Sequence, residues 1–439
     1  MTPVLIVAYF FPPSGAVGIY RSLKFAKYLP EFGWRPIVLT TANGKFPTYD
    51  ASLLRMIPEG VPVHRARGVE FLNEGFDRPQ GAPPAKTLRS RIHTRIYLAW
   101  HAVAVPDTRV GWVWNAYRHA KRLVRSEGIR HVYISGYPFS SFLIGAMLKR
   151  DRQLRVVIDY RDPWTQSVTY EHKGLKRWVD RRLEAWLVRR ADAVISNTRH
   201  NDARMAAEFG VGQPREKFVA IHNGFDAEEF ASVAREPNPK FTMTYAGAFY
   251  YSVGSDYSGP LGDAMKTYSP LYFFEALEAF FVRRPEAKTR MRVRFMGVLG
   301  QGYDPAIRSH GLEGVIERLG YIDYDEHLRV LKSSDALLLV LSRGEKSRGW
   351  IPSKFFQYLG TGNPILAMTP AGEVREIVQE TGAGVCVEPD DVAGASRAIE
   401  GLFDAWRSGA PAQAPDAGAV SRYERRNLTH ALARVLERS

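Results

Sequence analysis

The sequence predicts an α/β protein with two doubly wound parallel sheets. Short apolar runs rich in Val, Ile and Leu recur along the whole chain, each stops at a Gly, Pro or Asp turn, and each is followed by helical periodicity. At 439 residues the chain exceeds the roughly 250 to 300 residues at which one core stops growing, so two domains are expected.

In the first half the expected strands are Val4–Ala8, Pro36–Leu39, Val132–Ser135, Val156–Asp159, Ala193–Ser196 and Phe218–Ile221. In the second they are Phe241–Tyr245, Met291–Met296, Gly314–Leu319, Ala336–Leu341, Pro364–Met368 and Gly384–Val387. Each set is enough for its own Rossmann-like sheet. The predicted organisation is a first domain over 1–225, a polar linker over 226–240 that includes Pro-Asn-Pro, a second domain over 241–415, and a final helix over 416–439 that crosses back to the first domain. Residues 73–90 lack core periodicity and read as a mobile surface insertion.

A hydrophobic content of 45% with 24% charged residues fits a soluble folded protein, and the longest strongly apolar run, Ala336–Leu341, falls far short of a bilayer span. The N-terminus MTPVLIVAYFF lacks a basic n-region and reads as a strand, so a cytoplasmic location is expected. The single cysteine, Cys386, excludes an internal disulfide framework and is expected to pack in a strand. Charge is uneven: Met1 to Phe225 holds 35 Lys+Arg against 18 Asp+Glu, while the remainder holds 25 against 28. The first domain is therefore expected to face a polyanion, either nucleic acid or an anionic membrane leaflet.

Four stretches could carry chemistry. FFPPSGAVGIYRSLKFAKYL places Gly15 and Gly18 in a tight loop after the first strand, with Arg21 in the first turns of the following helix. Such a loop can receive an anion on helix N-H groups, and it can equally be a plain strand-to-helix turn. VIDYRDPW delivers Asp159, Arg161 and Asp162 at a strand's C-terminal end, where parallel sheets bind ligands. Either Arg161 and one Asp form a structural ion pair, or Asp162 meets sugar hydroxyls near the reaction centre. SGYPFSSFLIGAML reads as a further strand end with a helix capped by Ser140 or Ser141, a plausible acceptor loop.

The fourth stretch is IPSKFFQYLGTGNPILAM. Pro352 suits a first helical position, so a helix is expected from near Ile351 to Gly360, with Ser353 and Lys354 in its first turn. Arg343, Lys346 and Arg348 precede it in an otherwise acidic domain. Cations oppose the macrodipole at a helix N-terminus unless an anion is bound there, and a diphosphate would resolve the conflict.

In the first, second and fourth of these stretches, in IHNGFD, in YAGAFY with Gly247, and in GYIDYDEHLRVLKSSDALLLV, the chain resembles the GT-B glycosyltransferases, specifically the family 4 retaining enzymes of bacterial polysaccharide and lipid-linked glycan synthesis. The resemblance implies two Rossmann-like domains facing a cleft, with a nucleotide-activated sugar on the second domain and an acceptor on the first. It implies that the base meets Gly320, Tyr321 and Ile322, that the diphosphate meets Ser353, Lys354 and the Gly15 to Gly18 loop, and that the ribose faces Gln357. The family's two Glu residues, separated by seven positions, are replaced here by Gly349 and Gln357.

The expected activity is therefore sugar transfer from a nucleotide-diphosphate donor, retaining and metal-independent, with no cofactor. The metal expectation rests on the absence of any Asp-x-Asp cluster and of His/Cys ligand patterns. The alternatives are a nucleotide-sugar epimerase of the same fold, against which the charge asymmetry argues, and a nucleic-acid binding protein, for which no recognition motif stands. A last expectation is a membrane-facing helix in RSRIHTRIYLAWHAV, with Ile92, Ile96, Ala99, Trp100 and Val103 on one face and Arg89, Arg91 and Arg95 around the other. A helix packed on its own core is the competing reading of that stripe.

Overall fold

The computed structural model describes the chain except residues 17, 45, 47, 70–94, 96–99, 102–103, 152, 168–169, 171, 250–267, 345–346, 410–413 and 439. It divides into two compact units, one of Met1–His222 with Arg425–Ser439, the other of Asn223–Glu424. Among the described residues no helix is long and apolar enough to cross a membrane.

Unit 1 holds seven parallel strands in the order β3-β2-β1-β4-β5-β6-β7. They are β1 (Thr2–Ala8), β2 (Trp34–Thr41), β3 (Val63–Ala66), β4 (His131–Gly136), β5 (Arg155–Tyr160), β6 (Ala193–Ser196) and β7 (Phe218–Ala220). The edge strand β3, VHRA, is mostly half-buried and carries no apolar run, so the apolar-run criterion misses it. Alternation within each strand feeds two cores. Leu5, Val7, Ile134, Val156 and Ile158 face a layer made by α2 (Val113–Ser126), α3 (Ser141–Leu148), α4 (Gly174–Arg190) and α5 (Arg199–Phe209). Val4, Ile6, Tyr133 and Val157 face α1 (Ile19–Tyr28) and, through Leu428 and Leu432, the last helix, Arg425–Glu437.

Unit 2 holds six parallel strands in the order β10-β9-β8-β11-β12-β13. They are β8 (Phe241–Phe249), β9 (Met291–Leu299), β10 (Ile316–Gly320), β11 (Ala336–Val340), β12 (Ile365–Met368) and β13 (Gly384–Val387). Cys386 is half-buried on β13. The segment expected to be a linker starts instead with the helix α6 (Ala227–Ala231): Asp226 accepts from the Glu228 N-H at 3.2 Å, and Phe230 is buried in this unit's core. A cap followed by one buried aromatic is enough to fold a short polar segment. The longer helices of the unit are α7 (Leu271–Arg283), α8 (Tyr324–Ser333), α9 (Ser353–Thr361), α10 (Glu373–Thr381) and α11 (Val392–Ser408), and Arg425–Glu437 is labelled α12.

Candidate functional site

In unit 2 the site candidates Gly247 and Lys354 come together at the end of β8 and the start of α9. The helix begins at Ser353, one step later than the sequence indicates, because Pro352 stays extended (φ −65, ψ 143) as its N-cap. Gly362, left-handed at φ 72, closes it. Phe355, Phe356, Tyr358 and Leu359 bury one face, and the Tyr358 hydroxyl accepts from the buried Ala246 N-H at 2.8 Å, fixing the helix on β8. Lys354 lies one turn before Tyr358 and shares that side of the helix. Its Nζ is 3.7 Å from the centre of the Tyr245 ring.

Gly247 follows Tyr245 by two residues on the same side of the strand. Its φ of +137 suits only glycine, and a Cβ there would lie 2.8 Å from Lys354 Nζ. Although part of the Lys354 side chain reaches the surface, its ammonium is surrounded by protein, and burial pushes its pKa down to about 7. Among the described residues no carboxylate pairs with it. A desolvated amine at a helix N-terminus, held against an aromatic face and a glycine, can accept an anion. Neither Tyr245 nor Tyr358 is expected from sequence, although strand and helix periods point to both.

Gln357 is half-buried, with Oε1 3.2 Å from His327 Nε2, and the His327 ring lies parallel to Tyr324. Burial lowers the His327 pKa more than the Gln357 contact raises it, so a neutral ring donates to the amide oxygen. Gly320, left-handed, ends β10; Tyr321 is 73% exposed, and Ile322 packs against the core. Ser353 is exposed in the first turn.

Two expectations change. Arg343 is not a free anion-binding cation, because Asp390 takes it at 2.8 Å. Lys346 lies outside the described residues. An Asp-x-Asp spacing does occur, at Asp323-Tyr324-Asp325, but Asp323 caps α8 by accepting from the Glu326 N-H at 2.9 Å. Among the described residues no three His, Cys, Asp or Glu side chains group as metal ligands.

In unit 1 the loops after β1 and β5 meet. A Cβ on Gly18 would fall 1.1 Å from Arg161 Nη1, so the glycine leaves the space that the guanidinium fills. Gly15 donates to the Thr48 carbonyl at 2.8 Å. Asp162, with a side chain 55% exposed, is 3.5 Å from Arg161 Nε. Surrounding protein desolvates its carboxylate and raises the pKa, against the pull of Arg161. The charged trio is thus not one ion pair: Asp159 turns inward.

Arg21 turns inward with it and is a correction to the anion-binding expectation. It is 1% exposed, pairs with Asp159 at 2.5 and 3.0 Å, and donates to the carbonyls of Ile221 and His222 at 2.9 and 2.8 Å. The Tyr133 hydroxyl also donates to Asp159. Burial works to lower the arginine's pKa, and Asp159 and Tyr133 together raise it overall. With its fork occupied, Arg21 holds the first turn of α1 to β5 and does not reach a ligand.

Two further carboxylates shape these loops. Asp107 accepts from the Ser140 N-H and Oγ, both at 2.8 Å, so the cap of α3 comes from a distant loop and not from Ser140 or Ser141. Glu184 of α4, wholly buried, accepts from Thr165 Oγ1 at 2.5 Å and so anchors the chain just beyond Asp162; burial raises its pKa to about 7. The 73–90 insertion lies outside the described residues, as do Arg89, Arg91, Ile92, Ile96, Ala99 and Val103 of the expected membrane helix.

Residues 22–229 match the model of Glycosyltransferase Family 4. No curated protein matches the chain. Among solved structures the chain is similar to HepE of Anabaena in complex with UDP and glucose, at 16% identity over 99% of both chains with a TM-score of 0.59. It is similar to sucrose-phosphate synthase from Thermosynechococcus elongatus, at 13% identity over 99% of this chain and 98% of that one, TM-score 0.58. A putative UDP-N-acetylglucosamine 2-epimerase from Listeria monocytogenes is also similar, at 11% identity over 98% and 94%, TM-score 0.54. At these identities the likeness is one of fold.

Proposed function

We propose that this chain, a family 4-like glycosyltransferase of GT-B fold, moves a sugar from a nucleoside diphosphate donor on unit 2 to a glycan or lipid-linked acceptor on unit 1, in the cytoplasm, with retention and without a metal. UDP-sugars are the first donors to try, since HepE carries UDP and UDP-glucose in its crystals. The observation that carries the reading is Lys354, a desolvated amine with no carboxylate partner among the described residues, held beside Gly247 at the start of α9.

Transfer leaves negative charge on the departing diphosphate. The α9 N-terminus offers backbone N-H groups to it, and Lys354 supplies a cation in a dry setting, where such stabilisation is worth most. With a pKa of about 7 the amine is only partly charged before the donor arrives. An anion raises that pKa, so the charge is completed as the donor binds. Gln357, its oxygen engaged by His327, presents its NH2 group to the nucleotide. On unit 1, Asp162 is the carboxylate assigned to a sugar or acceptor hydroxyl, with Arg161 beside it.

Thermal unfolding with UDP, GDP and dTDP, and then with their sugars, tests this. A ligand at about 100 times its dissociation constant adds roughly 2.7 kcal/mol of stability, and wild type should respond to one nucleotide while Lys354→Met responds far less. No response to any nucleotide would overturn the reading. Product analysis separates transfer or donor hydrolysis, which release the nucleoside diphosphate, from epimerisation, which yields an altered sugar still joined to its nucleotide.

A further inference from the structure

Helix α4 is built inside out. The face it turns to the sheet buries Asp180 and Glu184 beside Leu187 and Val188. Asp180 is held by the Tyr170 hydroxyl at 2.6 Å and Lys176 at 3.0 Å, and Glu184 by Thr165. Both acids of the helix are therefore spent on the interior. The face turned to solvent carries Leu175 at 77% exposure, Trp178 at 56% and Trp186 at 40%. With Arg182 and Arg189, also exposed, these fall at successive steps of three and four residues and form one stripe. Arg177 and Arg181 flank it, the latter paired with Glu208.

Indoles are among the costliest side chains to leave in water, and two on one stripe mark a surface meant to be covered. A second helix of the same layer, separated from α4 by α3, repeats the chemistry. In α2, Trp114 is 62% exposed, Arg118, Lys121, Arg122 and Arg125 point outward, and the helix holds no acid. Both helices pack on the same core and the same side of the sheet, in the half of the chain with 35 basic against 18 acidic residues.

We propose that the α4 face, on the same side of the sheet as α2, docks on the surface of an anionic lipid bilayer. Leu175, Trp178 and Trp186 enter the headgroup boundary, and Arg182, Arg189 and the α2 cations meet lipid phosphates. A second copy of the chain is a poorer occupant, because two such faces carry the same sign. Nucleic acid is poorer too: the Arg182 guanidinium already lies 5.3 Å from the Trp178 ring centre and Arg190 lies 5.0 Å from Trp186, taking ring faces that bases would stack on, and Leu175 offers a base nothing. A bilayer boundary accepts indole, leucine and guanidinium together. This surface is distinct from the 89–103 stretch expected from sequence and does not depend on the transfer reaction.

Sedimentation of the full chain with phosphatidylcholine vesicles, and with mixed phosphatidylcholine and phosphatidylglycerol vesicles, tests the proposal. Binding is expected only to the mixed vesicles and should weaken with salt. Arg182→Gln with Arg189→Gln should lower partitioning roughly 30-fold, from the usual contribution of a cation at an anionic surface. Trp178→Ser with Trp186→Ser should abolish quenching of tryptophan fluorescence by brominated lipid, with nucleotide binding retained as evidence of folding. Wild-type protein left in the supernatant would overturn the proposal, as would binding unchanged in both variants or lost only on Arg89→Gln, Arg91→Gln and Arg95→Gln. So would a dimer, or a complex with single-stranded nucleic acid, that the α4 variants dissolve while vesicles bind nothing.

Discussion

If Lys354 becomes charged when an anion arrives, nucleotide binding must take up a proton. The free amine has a pKa of about 7, lowered by burial from 10.5. At about pH 8 roughly one tenth of it is protonated, whereas beside a diphosphate it is fully charged, so binding should absorb about 0.9 proton per nucleotide. The neighbouring Tyr245 and Tyr358 are held neutral, their pKa values raised by burial, and do not contribute. Affinity should accordingly fall by about tenfold for each pH unit above 7, until it reaches the bound-state pKa. Calorimetric titration with the active nucleotide, in buffers of different ionisation enthalpy, reads the proton directly. Lys354→Met should lose the uptake and, by removing a charge-assisted hydrogen bond of about 1.5–3 kcal/mol, weaken binding roughly 10- to 150-fold. The same variant should not unfold, since it replaces a desolvated amine with an apolar chain of similar length. Equal proton uptake in wild type and variant, or none in wild type, would refute the assignment.

The other expectations are separable. Asp162→Asn should reduce turnover while leaving the urea midpoint nearly unchanged, because the carboxylate is half-exposed and only weakly paired; loss of fold with wild-type turnover in the folded fraction would restore the structural reading. Asp159→Asn strands the buried Arg21 and should cost about 3–5 kcal/mol in denaturant titrations. Glu184 has a folded pKa of about 7 against 4.5, so the native state holds the extra proton and stability should fall as pH rises from about 4.5 to 7; Glu184→Gln should flatten that slope, and an unaltered pH profile would exclude it as the source. Gln357→Glu should preserve or tighten nucleotide binding and raise the His327 pKa, seen by NMR titration; a large loss of affinity would mean that the amide NH2 faces a phosphate.

Strand positions were legible in the sequence because burial on both faces leaves a local signature, an apolar run cut by a turn. The edge strand β3 left none. The α9 site was half legible: proline, glycine and a cation at a helix start can be read locally, and they marked Ser353 and Lys354. What the cations do could not be read, because partners come from elsewhere in the chain. Arg343 belongs to Asp390, and Arg21 to Asp159, 138 residues away, since the strand order sets β5 where the first turn of α1 reaches it. Gln357 likewise acquires His327 only when α8 packs on α9. Helix α4 shows the limit most plainly. Its sequence has charges and large apolar residues on both sides, so periodicity cannot say which face is inside. That was decided by Thr165 and Tyr170, which satisfy the buried acids and leave the tryptophans and arginines in solvent. Local pattern follows from backbone period and average burial, which a sequence carries; the partner of each charge follows from the packing of distant segments, which only the folded chain supplies.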